Sequence, residues 1–160
     1  MITQNFFPNK TALITLIAAS LVVIVSLGIR QTFGLFFFDF EIDLGISQTQ
    51  FGFAMGIQLL FWGLLGPVFG IITDKYGGRV AVITGFLFYL VGLYLLNYGP
   101  NTGSWFTFDI GILIGVGLGA TAISIPVSIV AKHFPLNTRT MATGIVTAAG
   151  SFGYFISPMY

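Results

Sequence analysis

The chain has 160 residues, of which 56% are hydrophobic and only 7% are charged, and its formal net charge is +1. A soluble domain carries about a quarter charged side chains, so this composition excludes an ordinary water-soluble fold and favours a membrane protein in contact with lipid. The small net charge gives no reason to expect a nucleic-acid partner. The absence of cysteine excludes disulfides and thiolate metal sites.

Five apolar runs follow one another along the chain, and a helix needs roughly 20 such residues to cross a bilayer. The predicted helices cover about residues 11–38, 49–72, 80–96, 105–131 and 141–160. The predicted fold is therefore an all-α transmembrane bundle. Because the last run is still apolar at Tyr160, we expect residues 1–160 to form an N-terminal bundle fragment of a longer polypeptide.

Polar segments separate these helices. The acidic residues Asp39, Glu41 and Asp43 are expected to end the first helix. Ser47 and Gln50 have the spacing of a capping box and should begin the second. Three polar loops are then predicted, over residues 74–79, 97–103 and 132–139.

The basic residues predict the orientation, since cytoplasmic flanks of membrane helices retain positive charge. All but one of them fall on the same side of the predicted membrane, namely Lys10, Lys75, Arg79, Lys132 and Arg139. We therefore expect a multi-pass protein of the plasma (inner) membrane with a cytoplasmic N-terminus.

A charged, glycine-containing segment joins the second and third predicted helices and includes Gly70, Asp74, Lys75, Gly77 and Arg79. Glycine permits a sharp turn, and Asp74 and Arg79 place opposite charges at the membrane face. The segment resembles the loop signature of the major facilitator superfamily, although valine follows Arg79 where the family has a second basic residue. In that family the loop latches two halves together and opens during alternating access, so the resemblance implies a conformational gate. The alternative is an ordinary positively charged loop.

The resemblance extends over nearly the whole chain. Residues 30–34 and the Gly- and Ala-rich residues 142–153 are similar to the monocarboxylate and oxalate/formate branch of that family. This implies most of one six-helix half of a secondary transporter for a small organic anion such as a monocarboxylate, with protons as a possible partner and the missing C-terminal half completing the site. No cofactor, metal or enzyme activity is expected. The alternative is a non-transporting membrane interaction protein or receptor.

Arg30 is the strongest candidate for contact with substrate. It lies about nine residues, or roughly 13 Å of helix, before Asp39, and an arginine at this depth normally faces a wet cavity or a partner. We predict that its guanidinium binds a substrate carboxylate through two hydrogen bonds. The alternatives are a structural ion pair with Asp109 and an anchor that extends to the interface.

Other polar residues inside the predicted helices are weaker candidates. Gln31, Gln58 and Trp62 could line a cavity, although such residues also serve packing between helices. Asp109 could couple proton movement to transport. The alternative, which the sequence favours, is a solvated acid in the first turn of the fourth helix.

Repeated glycines predict close helix packing. Two sets have small-x-x-x-small spacing: Gly52, Gly56, Gly66 and Gly70 in the second helix, and Gly111, Gly115 and Gly119 in the fourth. Pro67 and Pro126 are expected to kink the helices that contain them.

Overall fold

A computed structural model describes residues 9–100 and 102–157, and every regular element in these ranges is helical. The helices are α1 (Lys10–Leu35), α2 (Phe37–Leu44), α3 (Gln48–Tyr76), α4 (Gly78–Tyr98), α5 (Gly103–His133) and α6 (Leu136–Ile156). This confirms the predicted all-α bundle. Four of the helices, α1, α3, α4 and α5, are long and apolar enough to cross a membrane.

The fifth predicted crossing corresponds to α6. This helix has 21 residues, but when only the described residues are considered it is not one of the four helices that are long and apolar enough to cross a membrane. It begins at Leu136 and not near residue 141, so the predicted loop over residues 132–139 is shorter than expected. The loop is shorter because Pro135, with φ at −66°, is the N-cap of α6, and the residues after it are already helical. Tyr160 lies outside the described residues.

The end of the first predicted helix is wrong. At Phe36 the backbone leaves the helical range, with ψ at 10°, and separates α1 from α2. Asp39, Glu41 and Asp43 then lie within α2. The C-cap of this helix is Gly45, which has φ at +64°. The acidic residues do not end the helix because they are exposed on its surface and leave the backbone hydrogen bonds intact.

The start of α3 agrees with the sequence. The Ser47 hydroxyl accepts a hydrogen bond from the Gln50 amide, and the Gln50 side chain accepts one from the Ser47 amide. The capping box is therefore confirmed. At the other end α3 continues to Tyr76, and the predicted polar loop over residues 74–79 shrinks to Gly77, whose φ of +91° favours glycine.

Helix α5 is central and irregular. Of its most apolar stretch 67% is buried, against 11% in α3. It contains a π-helical segment, Thr107–Leu113, and a break between Thr121 and Ser124. The break lies one turn before Pro126, which has no amide hydrogen for the carbonyl of Ala122. By contrast, α3 continues through Pro67 without a break.

Glycines of α5 allow its neighbours to approach closely. A Cβ added at Gly115 would lie 2.9 Å from the Gln58 carbonyl oxygen of α3. One added at Gly117 would lie 2.8 Å from the Gly85 carbonyl oxygen of α4. Gly111 and Gly119 are similarly tight against α3. The packing role predicted for the glycines of the fourth helix is confirmed.

The glycines predicted to pack in the second helix behave differently. At Gly52, Gly56, Gly66 and Gly70 an added Cβ would meet no atom within 4 Å among the described residues. The prediction of close packing here is wrong for these ranges, because this glycine face of α3 points away from α5. We call these four residues the open glycine face.

A second close contact joins α1 and α6. A Cβ at Gly153 would lie 2.6 Å from the Ile24 carbonyl oxygen, and one at Gly150 would lie 3.0 Å from a methyl group of Leu27. The Ser157 hydroxyl donates to the Gly28 carbonyl oxygen over 2.7 Å. The small residues predicted along residues 142–153 therefore position α1, which carries Arg30.

The bundle has two chemically distinct ends. The basic end carries Lys10, Lys75, Arg79 and Lys132, and the acidic end carries Asp39, Glu41 and Asp43.

Candidate functional site

Arg30 of α1 meets Trp62 of α3 inside the bundle. The guanidinium carbon of Arg30 lies 5.5 Å from the centroid of the Trp62 ring, within the range of a cation–π contact. Both side chains are half-buried. The Arg30 Nε atom is buried and has no hydrogen-bond partner. Two of the four predicted substrate residues are thus brought together.

The two glutamines predicted for this site are placed differently. Gln58, one turn before Trp62 on α3, is fully buried, and its Nε2 donates to the Ile110 carbonyl oxygen of α5 over 3.0 Å. It therefore ties two helices together, while its Oε1 stays buried without a partner. Gln31 follows Arg30 on α1 but is exposed and forms no side-chain hydrogen bond with the described residues.

Tyr89 is a member of this region that sequence reasoning missed. Its ring is 2% exposed, and its hydroxyl donates to the Ser26 carbonyl oxygen over 2.9 Å. Arg30 and Tyr154 are electrostatic neighbours of that hydroxyl. A tyrosine in an apolar helix is only a weak sequence signal of a site residue, because its role depends on which helix its hydroxyl faces. Here it links α4 to α1 one turn from Arg30.

Asp109 contradicts the solvated position that the sequence favours. Its side chain is only 1% exposed. Helix α5 begins at Gly103, two residues before its predicted start, so Asp109 lies beyond the first turn and within the π-helical segment. The proposed ion pair with Arg30 is absent as well: across residues 9–100 and 102–157, the structure shows a salt bridge between Asp74 and Lys132.

The gate motif surrounds the junction of α3 and α4 at the basic end. The Asp74 carboxylate lies 2.7 Å from Lys132 Nζ at the end of α5. These side chains are 74% and 53% exposed, so the pair contributes about 0–1 kcal/mol. Lys75 lies over the Tyr76 ring, and Arg79 is exposed. The motif was predicted, but the contribution of Lys132 was missed because it is distant in sequence.

A groove of about 350 Å³ lies between α1, α4 and α5 near the basic end. Its walls are aliphatic, and Arg79 and His133 stand at its polar edge. Its lining includes neither Arg30 nor Trp62, so this groove is separate from the predicted substrate residues.

These membrane-length helices, packed through glycine and enclosing polar side chains, define an integral membrane protein of the multi-pass class. The model of the Major Facilitator Superfamily matches residues 11–160. The chain belongs to that family of transporters.

Several curated relatives are similar to this chain. The fujikurins efflux protein of Gibberella fujikuroi is 29% identical over 71% of this chain and 24% of its own length. The probable nitrate transporter NarT of Staphylococcus epidermidis is 27% identical over 88% of this chain and 35% of its own length. Monocarboxylate transporter 7 of Homo sapiens is 22% identical over 84% of this chain and 25% of its own length.

The chain thus spans between 24% and 35% of the length of these relatives. No solved structure matches it significantly.

Proposed function

We propose that this chain is part of a secondary transporter that moves a small organic anion, such as a monocarboxylate, by alternating access. Arg30 carries the proposal. Its guanidinium lies inside the bundle beside Trp62, and no carboxylate among the described residues forms a salt bridge with it. A charge in this position is costly without a partner, and a substrate carboxylate would supply one.

The roles of the site residues follow from their contacts. Arg30 would bind the carboxylate through two charge-assisted hydrogen bonds. The Trp62 ring would hold the guanidinium in place and cover an apolar part of the substrate. Gln58, which is already bonded to α5, would keep α3 in register, with its free carbonyl oxygen able to accept a hydrogen bond. No covalent step is proposed.

Two of the relatives support an anion as the substrate, although they point to different anions. Their names refer to nitrate and to monocarboxylate, and both are small anions with planar oxygen groups. A guanidinium fork recognises such groups well. Because the relatives are several times longer than this chain, we propose that further helices of the same polypeptide complete the site.

The orientation is part of the same proposal. Lys10, Lys75, Arg79 and Lys132 gather at the basic end, which we assign to the cytoplasm of a plasma (inner) membrane protein. The Asp74–Lys132 pair would then act in the cytoplasmic gate, where a weak, exposed contact separates easily.

The test is uptake of a labelled monocarboxylate by the intact polypeptide in proteoliposomes, with counterflow to establish a carrier. Arg30→Gln removes a charged hydrogen-bonding partner worth about 1.5–3 kcal/mol, so we expect KM to rise about 10- to 100-fold. Arg139→Gln is a matched control, because Arg139 bonds to the Phe134 carbonyl oxygen and lies away from Arg30 in α6. Unchanged KM in Arg30→Gln would refute the substrate role.

A second candidate is a non-transporting membrane interaction protein, which the open glycine face of α3 favours. Small residues on an unpacked face allow another helix to approach closely. This function predicts no saturable uptake and no counterflow. It also predicts that leucine at Gly56 disrupts association with a partner while Arg30→Gln does not.

A further inference from the structure

A small cavity lies at the acidic end, between α5 and the connection from α2 to α3. Ile46, Leu96 and Phe106 contribute apolar side chains to its lining, which also includes Trp105 and Asp109. Thr102 also lines it and is exposed, so the cavity has a rim that solvent can reach. It is separate from the Arg30–Trp62 pair.

The polar side-chain atoms of these two lining residues have no hydrogen-bond partner within the described residues. Both carboxylate oxygens of Asp109 and the Nε1 atom of Trp105 are buried without a hydrogen bond. The indole can only donate, and a carboxylate can only accept. Burial without a partner costs several kcal/mol for a polar group and far more for a charge. The site therefore has a hydrogen-bond donor and two acceptors that are not used by the described residues.

The backbone holds both side chains in place. The π-helical segment Thr107–Leu113 adds residues to the turn that carries Asp109, and such segments are frequent at functional sites. An added Cβ at Gly92 would lie 3.2 Å from the Asp109 carbonyl oxygen. An added Cβ at Gly99 would overlap Trp105 Nε1. Helix α4 thus packs directly against the site.

The cavity offers about 10 Å³ to the centre of a water molecule, which is about the space that one water needs. One water there would accept from the Trp105 indole and donate to Asp109, and would exchange with solvent at the Thr102 rim. Bridging waters of this kind are nearly as favourable as direct hydrogen bonds.

Other titratable groups near the site face elsewhere. Asp39, Glu41 and Asp43 of α2 are exposed, as are Tyr94 and Tyr98 of α4. None of them lines the cavity. Helix α3 presents the uncharged Gln50 and Gln58 in its half nearest the acidic end. A change of charge at this site therefore belongs to Asp109.

We propose that Asp109 and Trp105 form a hydrated proton-binding site at the acidic end. Binding of the proton is linked to the packing of the connection between α2 and α3 against α5. A neutral carboxylic acid can stay enclosed with one water, and a carboxylate needs more water around it. The proton passes between solvent at the rim and an Asp109 carboxylate oxygen, and no other bond forms or breaks. Loss of the proton draws water in and displaces Leu44 and Ile46, which close the cavity.

Proton binding itself does not depend on the substrate proposed above, but its use to drive transport rests on that function. The two are separable because the proton site has its own optical reporter. Residues 1–160 contain two tryptophans, so in Trp62→Phe the tryptophan emission of this part of the chain comes from Trp105, and Asp109→Asn identifies the part of the signal that depends on Asp109. Indole emission responds to a change of charge and hydration in its surroundings, and Trp105 lines the same cavity as Asp109.

The experiment is a pH titration of Trp105 fluorescence in the Trp62→Phe protein, reconstituted in lipid vesicles. We expect one reversible transition, its loss in Asp109→Asn, and its retention in Asp39→Asn, which changes an exposed carboxylate nearby. No transition, or a transition that persists in Asp109→Asn, would overturn the proposal. Helix content by circular dichroism verifies that each variant folds.

A second measurement needs no change at Asp109. The carbonyl stretch of a protonated carboxyl group in the infrared spectrum should disappear with the same midpoint as the fluorescence change. A different midpoint would refute the assignment to one site. If both titrations behave as expected and monocarboxylate uptake is absent, the proposed substrate is wrong and the proton site stands.

Discussion

The contact between α1 and α6 predicts a large difference between two identical substitutions on one helix. An alanine methyl group at Gly153 would lie 2.6 Å from the Ile24 carbonyl oxygen, whereas one at Gly144 would meet no atom within 4 Å. Both changes gain similar helix propensity, roughly 0.5–1 kcal/mol. Only Gly153→Ala must also move a backbone, and overpacking costs typically about 1–3 kcal/mol. We therefore expect Gly153→Ala to be less stable than Gly144→Ala by about 1–3 kcal/mol.

Thermal unfolding in detergent, followed by circular dichroism, measures this difference. Gly144→Ala should match or slightly exceed the unchanged chain, and Gly153→Ala should unfold at a lower temperature. A larger residue at Gly153 should lower the stability further, because the facing Ile24 atoms are backbone and cannot rotate away. Equal stability of the two alanine variants would show that α1 and α6 do not approach as closely as described, and the position of Arg30 would then be wrong.

Two more predictions concern the basic end. Gly77→Ala places a side chain at φ +91° and ψ 153°, a region almost restricted to glycine, so it should cost about 1–3 kcal/mol of unfolding free energy; Gly70→Ala, with open space around it, is the control, and equal melting temperatures would contradict this. A double-mutant cycle with Asp74→Asn and Lys132→Gln should give a coupling of about 0–1 kcal/mol that falls as salt is added, and a larger, salt-independent value would mean that the pair is more buried than described.

Local features of the sequence predicted local structure well. The capping box of Ser47 and Gln50 depends on atoms within one turn, so its spacing is sufficient. The position of the charged, glycine-containing segment was predicted for the same reason, although only the fold shows that Gly77 alone forms the turn and that Lys132 reaches Asp74.

Glycine spacing could not distinguish packed from open faces. Gly111 and Gly115 have the same spacing as Gly52 and Gly56, but only the first pair contacts a neighbouring helix among the described residues. The spacing indicates only that one face of the helix consists of small residues. Which helix lies against it depends on how the helices are arranged, and that information is spread over the whole chain.

Asp109 shows a second limit. Its position was read from an α-helical register that begins at residue 105, which put it in a solvated first turn. The earlier start at Gly103 and the π-helical segment change the direction of its side chain. Such a shift has no simple sequence signal. Arg30 and Trp62 were easier to select as candidates from the sequence, since both lie in regular helices where polar residues are rare.

The two ends of the bundle differ in the free energy needed to change the surroundings of a charged or ionisable side chain. At the basic end the exposed Asp74–Lys132 pair contributes little, so breaking this one contact requires little free energy. At the acidic end Asp109 is enclosed, and exposing or charging it requires water to enter and the α2–α3 connection to yield. Under the two proposals above, the chain combines an exposed contact that breaks easily at the basic end with a proton-dependent closure at the acidic end, while Arg30 and Trp62 lie inside the bundle.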